Sequence, residues 1–269
     1  MAIVRSIQLF SRREFLGLLP PAIGISMRAA DRDTFTYKTG YSSIMKLGKD
    51  LHAALKREHR HMIAEQPISI ETNATPFARL LYFDEKPKPV RGVWISAGFI
   101  DLVNHVAHAE AIDRVERNYF ERYMEVLAER SEVPPLPNGK NARNWTEEVL
   151  NEQQSNFNSI VGFVVAVKLA NHYLGHYDNH KAKLDEAPIN NLLREEEWST
   201  ALRAGLHNAL RAGCMIEGVV PFFSALDKMK KRPAWAGHFL PDRLKFSAFR
   251  REMEQMQKRF LERGEQARP

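Results

Sequence analysis

The chain is predicted to adopt an α+β fold: a mainly helical single domain with a small antiparallel sheet built around one hairpin. Three observations predict it. Apolar side chains recur at helical spacing over residues 41–65, 99–124, 145–180, 198–229 and 242–263. One region only, residues 68–97, alternates with period two, and it is interrupted by the turn-rich Asp84-Glu85-Lys86-Pro87-Lys88-Pro89. The composition, 44% hydrophobic and 27% charged over 269 residues, is that of a globular protein with enough chain for a sizeable core.

The N-terminus reads as an address. Residues 11–16 are Ser-Arg-Arg-Glu-Phe-Leu, followed by the modest apolar stretch GLLPPAIGIS and then Met27-Arg28-Ala29-Ala30. This is similar to the twin-arginine export signal, with Gly17 where that signal ends in lysine, and small residues near Ala29 and Ala30 offer a cleavage site. It implies a bacterial protein exported already folded, hence periplasmic or secreted. The expected division is therefore a signal at 1–30 and one domain at 31–269. The first thirty residues hold Arg5, Arg12, Arg13 and Arg28 against Glu14, half of the formal net charge of +6. What remains is too mild, and too free of basic stripes interleaved with aromatics, to point to nucleic acid. Cys214 is the one cysteine, which excludes an internal disulfide. The longest apolar run, residues 160–167, falls well short of the ~20 residues that span a bilayer, so no integral membrane segment is expected once the signal is removed.

The elements follow in order. Ile44, Leu47, Leu51, Leu55 and Met62 predict a helix over 41–65, with His52, His59 and His61 on its solvated side. Residues 68–72, 78–83 and 90–97 are the strand candidates, the last two forming the hairpin. The third strand runs straight into a helix that carries His105, His108, Glu110 and Asp113. These are read as groups bonded within a packed helix pair. Prolines 134, 135 and 137 and Asn138-Gly139 mark a loop over 130–143. Thr146 is placed to cap the next helix ahead of two glutamates. Pro221 should kink or split the helix over 198–229. The last helix has an apolar stripe of Leu244, Phe246, Phe249, Met253, Met256 and Phe260 and a charged outer face.

The stretch Phe157–His180 concentrates the chemistry. It begins as a nearly unbroken apolar run and ends with His172, His176 and His180, each four residues after the last. On one helix this spacing places all three on one face. His180 is read as a helix-end cation. Two histidines at i and i+4 are the metal-binding half of H-E-x-x-H, but Tyr173 stands where that motif has its glutamate.

The order GVWISAGFIDLV, then LANHYLGHY, then AGCMIEG resembles the gluzincin zinc metallopeptidases, especially exported relatives of the CAAX-prenyl protease, over residues 68–217. The resemblance implies an active-site helix bearing two histidine ligands, a third ligand from a glutamate on a following helix, and a peptide or protein as substrate or ligand. Carried over directly, His172, His176 and Glu217 would bind zinc and leave an open position for water. Tyr173 would replace the general base, and a phenol of ordinary pKa near ~10 is a poor base at neutral pH. The expectation is a zinc-metallopeptidase-like protein with an impaired active site.

A second register is open. Five residues earlier, the motif falls on Val167, Lys168, Leu169, Ala170 and Asn171. Residues 160, 164, 167, 171 and 174 share the apolar face that points inward, and His172 lies about 140° from position 167. In this register ligands and base are all replaced, and the chain is a metal-free, non-catalytic binding or scaffold protein on the same fold. Lys168 then needs a partner inside an apolar run, and Glu217 is the expected one.

Overall fold

The computed structural model describes residues 36–83, 90–130, 133–139, 141–242 and 245–264. The expected export signal and the expected hairpin turn at 84–89 lie outside the described residues. Helix α1, Thr36–Ala54, is followed by the single turn α2, Arg57–Arg60, and the chain enters strand β1, Ile63–Glu71. The helix expected over 41–65 therefore ends early. Arg60 explains the stop: its guanidinium donates to the carbonyls of Ala53 (2.6 Å) and Leu55 (3.0 Å), satisfying acceptors that the last turn of a helix leaves open.

Strands β2, Ala78–Phe83, and β3, Val90–Ser96, complete a three-stranded sheet in the order β1-β3-β2. β2 and β3 form the expected antiparallel hairpin, from Ala78 opposite Ile95 to Tyr82 opposite Arg91. β1 runs parallel to β3, with Ile68 opposite Val93 and Glu71 opposite Ser96, so the sheet is mixed rather than wholly antiparallel. The chain leaves β1, crosses to the far edge as β2, and returns between the two as β3. Ser96 ends this strand and starts the next helix. Its hydroxyl oxygen accepts from Phe99 N and Phe77 N, both at 2.9 Å, which ties the beginning of β2 to the N-cap of α3, Ala97–Asp113.

After α4, Tyr119–Ala128, comes the central helix α5, Glu147–Tyr173. Thr146 caps it through Val149 N at 3.4 Å, and Glu147 and Glu148 complement the positive end of its dipole. Nearly every side chain from Asn156 to His172 is buried, because α5 packs between α3 and α8, Glu195–Arg211, and also touches α1 and the sheet. A helix that is apolar around its whole circumference belongs inside a fold. Gly205 sets how near α8 comes: a β-carbon there would lie 2.6 Å from both Cα and N of Val167, so backbone meets backbone at this crossing.

Between α5 and α8 lie the short helices α6, His176–His180, and α7, Ile189–Leu192. The helix expected over 198–229 is two helices, α8 and α9, Val219–Lys228, parted at Gly213, whose φ is +85°. Pro221 falls in the first turn of α9, where it has no intrahelical donor to lose, so it causes no kink. Cys214 sits in the connecting turn, buried, with its sulfur packed on Gly162 of α5 and its thiol pushed up to about 12 by burial. Helix α10, Ser247–Glu262, lays Phe249, Met253 and Phe260 on the body. Among the described residues, no helix is long and apolar enough to cross a membrane.

Candidate functional site

The three histidines do not share one helix. α5 ends at Tyr173, and Gly175 takes φ +79°, the left-handed conformation that closes many helices. Leu174 N returns to the Ala170 carbonyl (2.9 Å) and Gly175 N to the His172 carbonyl (3.1 Å). His176 thus opens a new helix and His180 closes it.

Each proposed ligand is engaged separately. His172 is fully buried and its Nε2 lies 2.8 Å from the Gly92 carbonyl of β3. A carbonyl only accepts, so Nε2 carries the proton and the lone pair is on Nδ1, which is buried without a hydrogen-bond partner in the protein. Burial pulls its pKa down to about 4, against the smaller opposing effect of the Gly92 bond, and the ring is neutral. His176 bonds through Nδ1 to Asn171 Oδ1 at 2.9 Å. His180 lies 3.5 Å from Glu197. Tyr173 stacks on His59, centroid to centroid 4.2 Å, and burial pushes its phenol up, further from the range of a base. Glu217 is exposed in the turn between α8 and α9, where it accepts from Gln257 Nε2 at 2.9 Å. Among the described residues, no group of three or more His, Cys, Asp or Glu side chains is placed to hold a metal ion. His105 and His108 bond instead to the carbonyls of Pro134 (3.1 Å) and Asn144 (2.7 Å).

The residues of the second register lie together in the interior. Val167, Lys168 and Asn171 are all buried, Lys168 at 1% exposure. The expected Lys168–Glu217 pair does not form. The Lys168 ammonium donates instead to Asn190 Oδ1 at 3.0 Å, while Glu217 stays at the surface. Asn190, from α7, is fixed in this orientation because its amide nitrogen donates to the carbonyls of His238 (3.0 Å) and Phe239 (3.1 Å). Only its oxygen is left for the lysine.

Val167 and Lys168 line a small cavity with Asn190, Trp198 of α8, Phe223 of α9 and His238. His238 lies in the 3₁₀ turn Ala234–His238, and its Nδ1 is 3.3 Å from the Ala78 carbonyl. Phe163, Val164 and Phe239 complete the wall, so the lining holds no carboxylate. Burial draws Lys168 down to about 7. Burial, then the charges of Lys168 and Arg79, draws His238 down to about 3. The Trp198 indole N–H is buried with no hydrogen-bond partner in the protein.

Asn190, Trp198 and His238 were not legible as site residues. The lysine inside an apolar run announced that a partner was required. The partner sits 22 positions away on a one-turn helix, beyond any periodicity. Compared with known proteins, the chain is matched by no family model, no curated protein and no solved structure.

Proposed function

We propose that the protein is a non-catalytic, metal-free binding or scaffold protein, exported in the folded state, whose interior keeps the layout of a peptidase helix without its chemistry. The observation that carries this reading is the cavity where Val167 and Lys168 of α5 meet Trp198 of α8. In the resemblance described above, a following helix supplies the third ligand to the face that bears the histidines. Here the residue from the following helix is an indole, and the face bears an aliphatic side chain and an ammonium. Neither tryptophan nor valine offers a lone pair to a metal, and a protonated lysine repels one. The direct register is less well supported, since His176 opens a separate helix, Glu217 is exposed beside Gln257, and among the described residues no three such ligands are placed to hold a metal ion. The twin-arginine-like residues 11–16 support export. The partner of such a protein is a peptide or another protein.

Elemental analysis of purified, tag-free protein tests this. The expected result is far less than one zinc per chain, with a melting temperature that a chelator leaves unchanged. About one zinc per chain, lost in His172→Ala or His176→Ala, would overturn the proposal in favour of an altered zinc site.

A further inference from the structure

We propose that the cavity beside Lys168 binds a small monovalent anion of halide size, held by the Lys168 ammonium and the Trp198 indole N–H. The donors come first. Asn190 accepts one of the three N–H groups of Lys168 and the Trp198 N–H has no protein acceptor, so the four N–H donors of these two lining residues outnumber the acceptors Asn190 Oδ1 and His238 Nε2. The charge comes second. Lys168 is 1% exposed, no carboxylate lines the cavity, and the partner of its ammonium is the neutral Asn190. A buried cation without a counter-charge is costly, and an anion beside it restores neutrality where a water would supply only a dipole. Size comes third. The cavity has room for about one water-sized group, so a halide, somewhat larger than water, enters with a slight outward shift of the walls, while peptides, sugars and phosphate esters are excluded.

The other walls are compatible with an anion. Lys168 and His238 are the titratable residues of the lining. His238 is neutral and turns its Nδ1 proton to the Ala78 carbonyl. Arg79, whose charge is felt at His238, adds positive potential from the β2 side. Phe163, Phe223 and Phe239 form the apolar remainder. Since Lys168 is drawn to about 7 by burial, anion binding is strongest below that pH and weakens above it as the ammonium loses its proton. By linkage, a bound anion raises the lysine's pKa in return.

The test uses the full chain at pH 6 and constant ionic strength. Sodium bromide or chloride replaces sodium gluconate, whose anion is too large for the cavity. The melting temperature is expected to rise by several degrees and to saturate with halide. Trp198→Phe keeps an aromatic ring in the wall while removing the donor and widening the cavity, and should weaken the apparent halide affinity at least tenfold. Lys168→Met should abolish the response. Crystals grown in bromide should show one anomalous peak within ~3.5 Å of Lys168 Nζ. Equal melting temperatures in bromide and gluconate, or a water at this position without anomalous signal, would overturn the proposal. The halide site stands independently of the metal-free reading, because zinc in the purified protein would remove that reading and leave these measurements unaffected.

Discussion

Lys168 carries an amine through the middle of an apolar helix, and its titration adds a rising contribution to stability above neutral pH, against the falling contribution of the buried Cys214 thiol, whose pKa burial raises. In the unfolded chain a lysine keeps its proton up to about 10.5, while in the fold it holds it only to about 7. Between these values the unfolded state binds the extra proton, so the contribution of Lys168 to stability rises with pH across that window and levels off below it. At low halide, Lys168→Met should remove this slope and raise stability at pH 7, since a flexible apolar chain of similar length replaces a buried amine. Chemical denaturation at pH 7 and at pH 9.5 checks it. Asn190 would lose one accepted bond, a smaller cost. This residue's peculiarity was legible, because a charged side chain flanked by Val167 and Leu169 has no place on a solvated face. Its partner was not. Glu217 was the expected choice on charge alone, but the ammonium reaches the neutral amide oxygen of Asn190 instead.

At the scale of elements, the contact of α5 with α8 decides the geometry of the cavity. Gly205 lets the two backbones touch at Val167, and any β-carbon there would have to push the helices apart. Gly205→Ala should cost ~1–3 kcal/mol through overpacking, although alanine is the better helix former. Chemical denaturation measures the loss, and the same variant should dull the halide response by moving Trp198 relative to Lys168. The long helices were legible because their apolar positions repeat within each segment, as Ile44, Leu47 and Leu51 do in α1. Their ends were harder. Leu174-Gly175-His176 holds a helix stop in plain view, a glycine at the closing position, yet the four-residue histidine spacing spoke for continuation. Backbone closure won, because Leu174 N and Gly175 N both turn back onto the last turn of α5. The parallel pairing of β1 with β3 was illegible for a different reason: it depends on which edge the returning hairpin presents, and local alternation says nothing of that.

For the molecule as a whole, the proposed reading of a peptidase-like layout with its centre replaced can be tested by building that centre back. Val167→His, Lys168→Glu, Asn171→His and Trp198→Glu together place two imidazoles at i and i+4 on the buried face of α5, a carboxylate beside the first, and another from α8. The combined variant should take up about one zinc per chain and melt at a higher temperature with zinc than without, whereas the wild-type chain should show neither effect. The α+β class and the central buried helix could be read from periodicity. The cavity could not, since three of its walls come from a one-turn helix, a 3₁₀ turn and the second half of a divided helix. The turn dividing that helix also places Cys214 against the core with a thiol too basic to ionise at neutral pH. A thiol reagent can reach this sulfur only when the junction of α8 and α9 swings off α5, so its rate of labelling keeps time for that opening, and a single native atom serves as the protein's own stopwatch.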